Sequence, residues 1–179
     1  MTEDKSAEGR TRSSAEGDAK SIDRIEKTVT LKAPRDRVWN AISDAKNFGA
    51  WFGCELDGPF VAGKPVTGRI VPTQVDPEIA ALQEPHRGLA FEWHVERIEP
   101  QTVFAFRWHP NAVDPGVDYS NQPTTLVTFE LSDDPTGTRL RITESDFDRI
   151  PLDRRAKAFT SNEGGWEKQT ELIGKFLAR

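Results

Sequence analysis

From Leu152 to Ala178 the apolar residues Phe159, Trp166, Ile173, Phe176 and Leu177, with Thr170 between them, fall on one stripe at helical angles. Glu167, Lys168, Glu171 and Lys175 fall on the opposite face. This pattern predicts a long surface helix with one buried side. Pro151 is compatible with a first helical turn, and Glu171 stands four residues before Lys175 in the favourable orientation. Gly164-Gly165 interrupts the pattern. Each glycine costs a helix roughly 1 kcal/mol relative to alanine, so the pair predicts a kink or the close approach of another backbone or a ligand. The alternative is a helix that starts near Ser161, after a loop.

Upstream the period is mostly two. Ile25, Val29 and Leu31 share one face of a half-buried strand whose apolar side is broken by Lys27. Pro34 opens a short helix carrying Val38, Trp39 and Ile42, and Asp44 to Phe52 continues as a second one ending at Gly53. Its Trp51-Phe52 pair reads first as core and otherwise as the mouth of a ligand cavity. Short strands follow at Cys54 to Leu56 and Pro65 to Val71. The stretch Pro72 to Arg87, with three prolines, reads as a long loop holding one helical turn at Glu78 to Leu82.

Two strand pairs are better defined. Leu89 to Ile98 and Thr102 to His109 meet around Glu99-Pro100-Gln101; with Pro100-Gln101 as the loop, Trp93 faces Trp108 and Val95 faces Phe106 inside, while His94 faces Arg107 and Glu92 faces His109 outside. Thr125 to Leu131 and Thr138 to Thr143 are joined through Asp133 to Gly137, with Val127, Phe129, Leu131, Leu140 and Ile142 inward. Such short connections make the pairs antiparallel. A sheet with one aromatic face needs a cover, and the C-terminal helix is the only long amphipathic element left to supply it.

Composition narrows the function classes. The 179 residues carry 36% hydrophobic residues, including 5 Trp and 10 Phe, enough for one domain with a bulky core. The net charge of -5, with both signs mixed throughout, argues against nucleic acid or an anionic membrane as partner. The single cysteine, Cys54, excludes an internal disulfide and a multi-cysteine zinc site, and no apolar run approaches a membrane span, so the chain reads as cytoplasmic. Residues 1–20 lack any aromatic residue and read as a disordered tail ahead of a domain over 21–179.

The order of elements has a known counterpart. Val29 to Pro34 before Val38-Trp39, then Trp51-Phe52, then Ile98-Glu99-Pro100 with Phe104-Ala105-Phe106-Arg107-Trp108, Thr128-Phe129-Glu130-Leu131, Gly137-Thr138-Arg139-Leu140, and Gly164-Gly165-Trp166 with Leu172, together resemble the START-like (SRPBCC) helix-grip superfamily. Within it the chain is similar to the family of the C-terminal domain of the activator of the ninety-kilodalton heat-shock protein ATPase. The resemblance covers about Ile22 to Leu177. It implies an α+β fold in which a curved antiparallel sheet, with two short helices after the first strand, wraps around a long C-terminal helix. The loops Pro72 to Arg87 and Asp114 to Asn121 look longer than the family minimum, which bears on the mouth of any cavity.

The resemblance also implies a cavity between helix and sheet for a small apolar or amphipathic ligand. The candidates to line it are Trp51, Trp93, Phe106, Trp108, Phe129, Glu144, Asn162, Gly165 and Trp166. The competing expectation is that the aromatics fill the interior and leave no cavity. Three classes of function stay open: a ligand-binding module, which is preferred; a chaperone-associated protein-binding module, which would need an exposed apolar patch; and a polyketide cyclase or dehydratase-type enzyme, which would need a titratable pair in the pocket. No phosphate loop, nucleophile elbow or metal-binding helix motif is present, and no cofactor or metal is expected. Glu144 continues the inward face of Leu140 and Ile142, and Glu163 flanks the helix stripe, but strand-end and helix-flank positions usually reach water. His86 falls in a loop, and His94 and His109 fall on the outer sheet face, where ligand affinity should not depend on them.

Overall fold

A computed structural model describes residues 23–179; the expected tail over residues 1–20 and the start of the domain at residue 21 lie outside the described residues. The first strand β1 (Ile25–Leu31) is followed by α1 (Arg35–Ser43) and α2 (Ala45–Phe52). The Asp44 carboxylate accepts the Asn47 amide as the N-cap of α2, and Gly53 ends that helix in the left-handed conformation that glycine adopts without strain. Strands β2 (Cys54–Leu56) and β3 (Pro65–Ile70) come next. The long proline-rich stretch then holds α3 (Pro77–Gln83) and a single tight turn, Glu84–His86. Strands β4 (Ala90–Glu99), β5 (Val103–Trp108), β6 (Thr125–Asp134) and β7 (Gly137–Ser145) precede α4 (Leu152–Leu177).

The seven strands form one antiparallel sheet in the order β1-β7-β6-β5-β4-β3-β2. The two short helices carry the chain from one edge of this sheet to the other. Inward residues alternate along β6 and β7 as the sequence predicts, with Val127, Phe129, Leu131, Leu140 and Ile142 all buried. On the sheet lies α4, whose Ala158, Phe159, Trp166, Leu172, Ile173 and Leu177 are buried. This is the helix-grip α+β architecture. The helix runs unbroken through Gly164-Gly165, so the start near Ser161 does not occur.

One register differs from expectation. The turn between β4 and β5 takes one residue more than Pro100-Gln101, with Gln101 at φ 67° and the Thr102 amide donating to the Glu99 carbonyl at 3.0 Å. Glu99 therefore pairs with Val103, and Ile98 with Phe104. A bulge between Val95 and Arg97 absorbs the extra residue, after which Val95 faces Phe106 and His94 faces Arg107 as expected. Glu96 and Arg97 both face outward at the bulge, so Val95 and Ile98 both stay on the inner face.

Candidate ligand cavity

The sheet splits at one end. Strand β4 pairs with β5 only as far as His94↔Arg107, beyond which Trp93 and Phe91 remain with β3 while Trp108 stays with β6 opposite Thr125. The cause is local: Pro110 has no amide to continue a ladder, and Asn111 takes a left-handed turn at φ 51° that sends the chain away. The loop that follows is held against α4. The Arg154 guanidinium donates to the Pro110 carbonyl at 3.2 Å and to the Gln122 side chain, and lies over the Tyr119 ring at 5.1 Å. Ser161 donates to the Asn111 side chain at 3.2 Å.

In this split, under the middle of α4, is a cavity of about 710 Å³. Phe52, Phe91, Trp93 and Trp108 form its aromatic wall, and Asn162, Gly165 and Gln169 form the helix side. A Cβ atom at Gly165 would meet nothing within 4 Å, so this glycine admits no neighbouring backbone; it leaves the space open. Both long loops reach the mouth, through Gln83 and His86 on one side and Val117 to Ser120 on the other.

The expected lining residues divide into two groups. Trp93, Trp108, Asn162 and Gly165 face the cavity. Trp51, Phe106, Phe129 and Trp166 lie behind it: each is essentially inaccessible, and their rings pack on other rings rather than on open space. Trp51 also donates its indole N–H to the Ala41 carbonyl at 2.8 Å, which ties it to α1. The placement of the histidines away from the site needs correction. Strand alternation does turn His94 outward, but where β4 and β5 part its ring reaches the mouth of the cavity, as do His109 and His86. His109 is half-buried and its Nε2 lies 3.0 Å from the Gln122 carbonyl, so Nε2 carries the hydrogen and Nδ1 is left as an acceptor. Burial, opposed by that hydrogen bond, holds its pKa below the usual histidine value. Alternation alone could not have found this, because it requires knowing where the strands separate.

Glu144 corrects a second expectation. Although near a strand end it is fully buried, one layer behind the cavity wall. Its Oε1 accepts from Trp108 Nε1 at 2.7 Å, Thr125 Oγ1 at 2.6 Å and Asn162 Nδ2 at 3.0 Å; its Oε2 accepts from Trp166 Nε1 at 2.7 Å and Asn162 Nδ2 at 3.1 Å. Three strands and the helix thus meet at one carboxyl group. Burial pushes its pKa up, and the donated hydrogen bonds pull the other way. All four donor side chains are neutral. By fixing Trp108 and Asn162, Glu144 sets the orientation of two groups that face the cavity. Glu163, on the same helix, is half-buried. The Cys54 thiol, also against the cavity, is pushed up to about 12 by burial and stays protonated at neutral pH.

Comparison with known proteins places this geometry. Residues 32–178 match the family described as Activator of Hsp90 ATPase homolog 1-like protein. The chain belongs to this family. A comparison with curated protein sequences found no match. Among solved structures the chain is similar to protein MLL2253 from Mesorhizobium loti, with 20% identity and a TM-score of 0.64 over 87% of this chain and 97% of the other. A protein from Arthrobacter aurescens is similar at 16% identity and a TM-score of 0.66, over 89% of each chain. DynU16, from the dynemicin biosynthetic locus, is similar at 22% identity and a TM-score of 0.61, over 87% of this chain and 47% of DynU16. At such identities the likeness shows the shared fold. Among the described residues no helix is long and apolar enough to cross a membrane, and no group of three or more His, Cys, Asp or Glu is arranged to hold a metal ion.

Proposed function

We propose that this protein is a binding module for a small hydrophobic or amphipathic molecule held between the sheet and α4. The observation that carries the reading is the cavity itself, which at about 710 Å³ lies within the range of roughly 300–1,000 Å³ usual for small-molecule sites. Its aromatic wall supplies apolar contact, and Asn162 and Gln169 supply a few fixed polar groups. A cyclase-type enzyme fits less well, because Glu144, the carboxyl group buried nearest the cavity, is walled off by Trp108 and Asn162 and accepts from neutral donors. A protein-docking module fits less well too. Among the described residues the exposed large apolar residues are Val61, Leu82, Val113, Val117 and Leu152, far apart in sequence, and two of them belong to the mouth loop.

Native mass spectrometry of freshly purified protein tests this reading for a retained molecule. Intrinsic fluorescence tests it for binding, since Trp93 and Trp108 line the space. Gly165→Leu should abolish saturable quenching by a panel of polycyclic aromatic and amphipathic molecules of differing charge, whereas Gly164→Leu, on the exposed side of the same helix, should retain it. Equal binding by both variants would move the site away from this cavity.

A further inference from the structure

The charges around the cavity are one-sided. Among the described residues its lining includes three carboxylates, Asp57, Glu92 and Asp118, and no lysine or arginine. The arginines nearest in sequence to the lining residues are engaged elsewhere: Arg69 with Glu55, Arg87 with Glu84 at 2.7 Å, and Arg107 with Glu96 at 2.9 Å and Asp146 at 3.0 Å. Arg154 lies against the Tyr119 ring and is held by Pro110 and Gln122. Asp118 accepts the Ser120 amide at 2.9 Å, which favours its ionised form. Glu92 stands 3.1 Å from His94 at the mouth.

Deeper in, a buried acceptor is left open. Gln169 donates one N–H of its amide to the Phe52 carbonyl at 3.0 Å, and its Oε1 is buried without a hydrogen-bond partner. Among the described residues no lysine or arginine in the lining would neutralise a fatty-acid or aromatic carboxylate, and the three carboxylates outnumber the Arg154 guanidinium beside Tyr119, whereas aromatic faces and carboxylates together suit a cation. Resting on the binding reading above, we infer that the ligand is an aromatic cation, an organic ammonium or protonated heteroaromatic, and not a carboxylic acid. Its ring would lie against Trp93 and Trp108, with its charge toward Glu92 and Asp118.

Three molecules of one shape test this in titration calorimetry of the full chain at pH 8: (2-naphthylmethyl)trimethylammonium, 2-naphthylmethanol and 2-naphthoate. The cation should bind tightest and at least about tenfold more tightly than the carboxylate, a free-energy difference of roughly 1.4 kcal/mol. If the alcohol binds and the carboxylate matches or exceeds the cation, the charge inference falls while the cavity reading stands. If none of the three binds, both fall. The exposed pair Glu92→Gln with Asp118→Asn should cut the cation-to-carboxylate ratio several-fold. An unchanged ratio in that variant would overturn the assignment of the charge-reading groups.

Discussion

Two aromatic regions of this protein use the same residue types and end differently. Around Phe48 seven aromatic rings lie with centroids between 4.8 and 6.4 Å away, and its side chain is fully buried among them. Around Trp108 the rings of Phe52, Trp93, Phe106 and Trp166 stand 5.4 to 6.2 Å away on one side, and the other side opens on the cavity. The sheet contributes large side chains in both places. The helices differ: α2 presents Phe48, Trp51 and Phe52, whereas α4 presents Ser161, Asn162, Gly165 and Gln169 at the cavity. The empty volume is therefore made by what the covering helix lacks. Its two expected fates, filled core and lined pocket, are both realised in one molecule.

The sharpest way to break this contrast is truncation on the filled side. Phe48→Ala and Trp166→Ala should each lower stability by roughly 3–5 kcal/mol, the usual loss for a large aromatic removed from a dense interior. Trp166→Ala also removes an N–H donor from Glu144 Oε2. Urea denaturation provides the measurement. An unchanged midpoint for Trp166→Ala would mean that this ring borders open, wet space and that the division between the two regions is misplaced.

The boundary between the regions is the Glu144 carboxyl group, and Glu144→Gln should cost about 2–3 kcal/mol. Whichever way the new amide turns, its NH2 meets an indole N–H, that of Trp108 or that of Trp166. The pH dependence has a definite sign. A folded pKa above the ordinary 4.5 means that the folded chain holds this proton more tightly than the unfolded chain does. That contribution is fully present below 4.5 and is lost as pH rises through the folded pKa. Wild type should therefore lose stability relative to the non-titrating glutamine variant between pH 4 and pH 8. A gap that widened over that range would show that the donated hydrogen bonds outweigh burial and that the native group is ionised.

How legible these regions were in the sequence depends on the distance over which each is specified. Hydrophobic period placed β1, α1, α2 and α4 and the inward faces of β6 and β7, because each of these patterns is local. The bulge in β4 also had a local sign, the polar doublet Glu96-Arg97 between Val95 and Ile98, which breaks strict alternation. The environment of Glu144 had none. Its burial depends on Thr125 and Trp108 on neighbouring strands and Asn162 and Trp166 on the helix, groups brought together only by the fold. The cavity depends in turn on the parting of β4 and β5 before Pro110, so that of the expected wall residues Trp93 and Trp108 face it while Phe106 and Phe129 do not. Alternation identifies the inner face of a sheet but not which part of that face is covered.

The smallest expected effect is the one that separates the two sides of α4. Gly164 and Gly165 both sit in helix interior, and a methyl carbon at either position would meet nothing within 4 Å. Gly164→Ala and Gly165→Ala should therefore each stabilise by roughly 0.5–1 kcal/mol, by reducing the backbone freedom of the unfolded chain without a clash. The two substitutions should nevertheless differ in binding. Gly164 is exposed, and a methyl group there changes only the solvent side of the helix. Gly165 faces the cavity, where one methyl group removes part of the space beside Trp108 and Asn162 and should weaken a ligand that fills it. Thermal melting and titration of the same two variants give both quantities. Equal gains in melting temperature with unequal affinities would show that the helix tolerates side chains at both positions and that the glycine at 165 serves the cavity. Destabilisation by Gly165→Ala would instead mean that the neighbouring wall closes on the helix in solution.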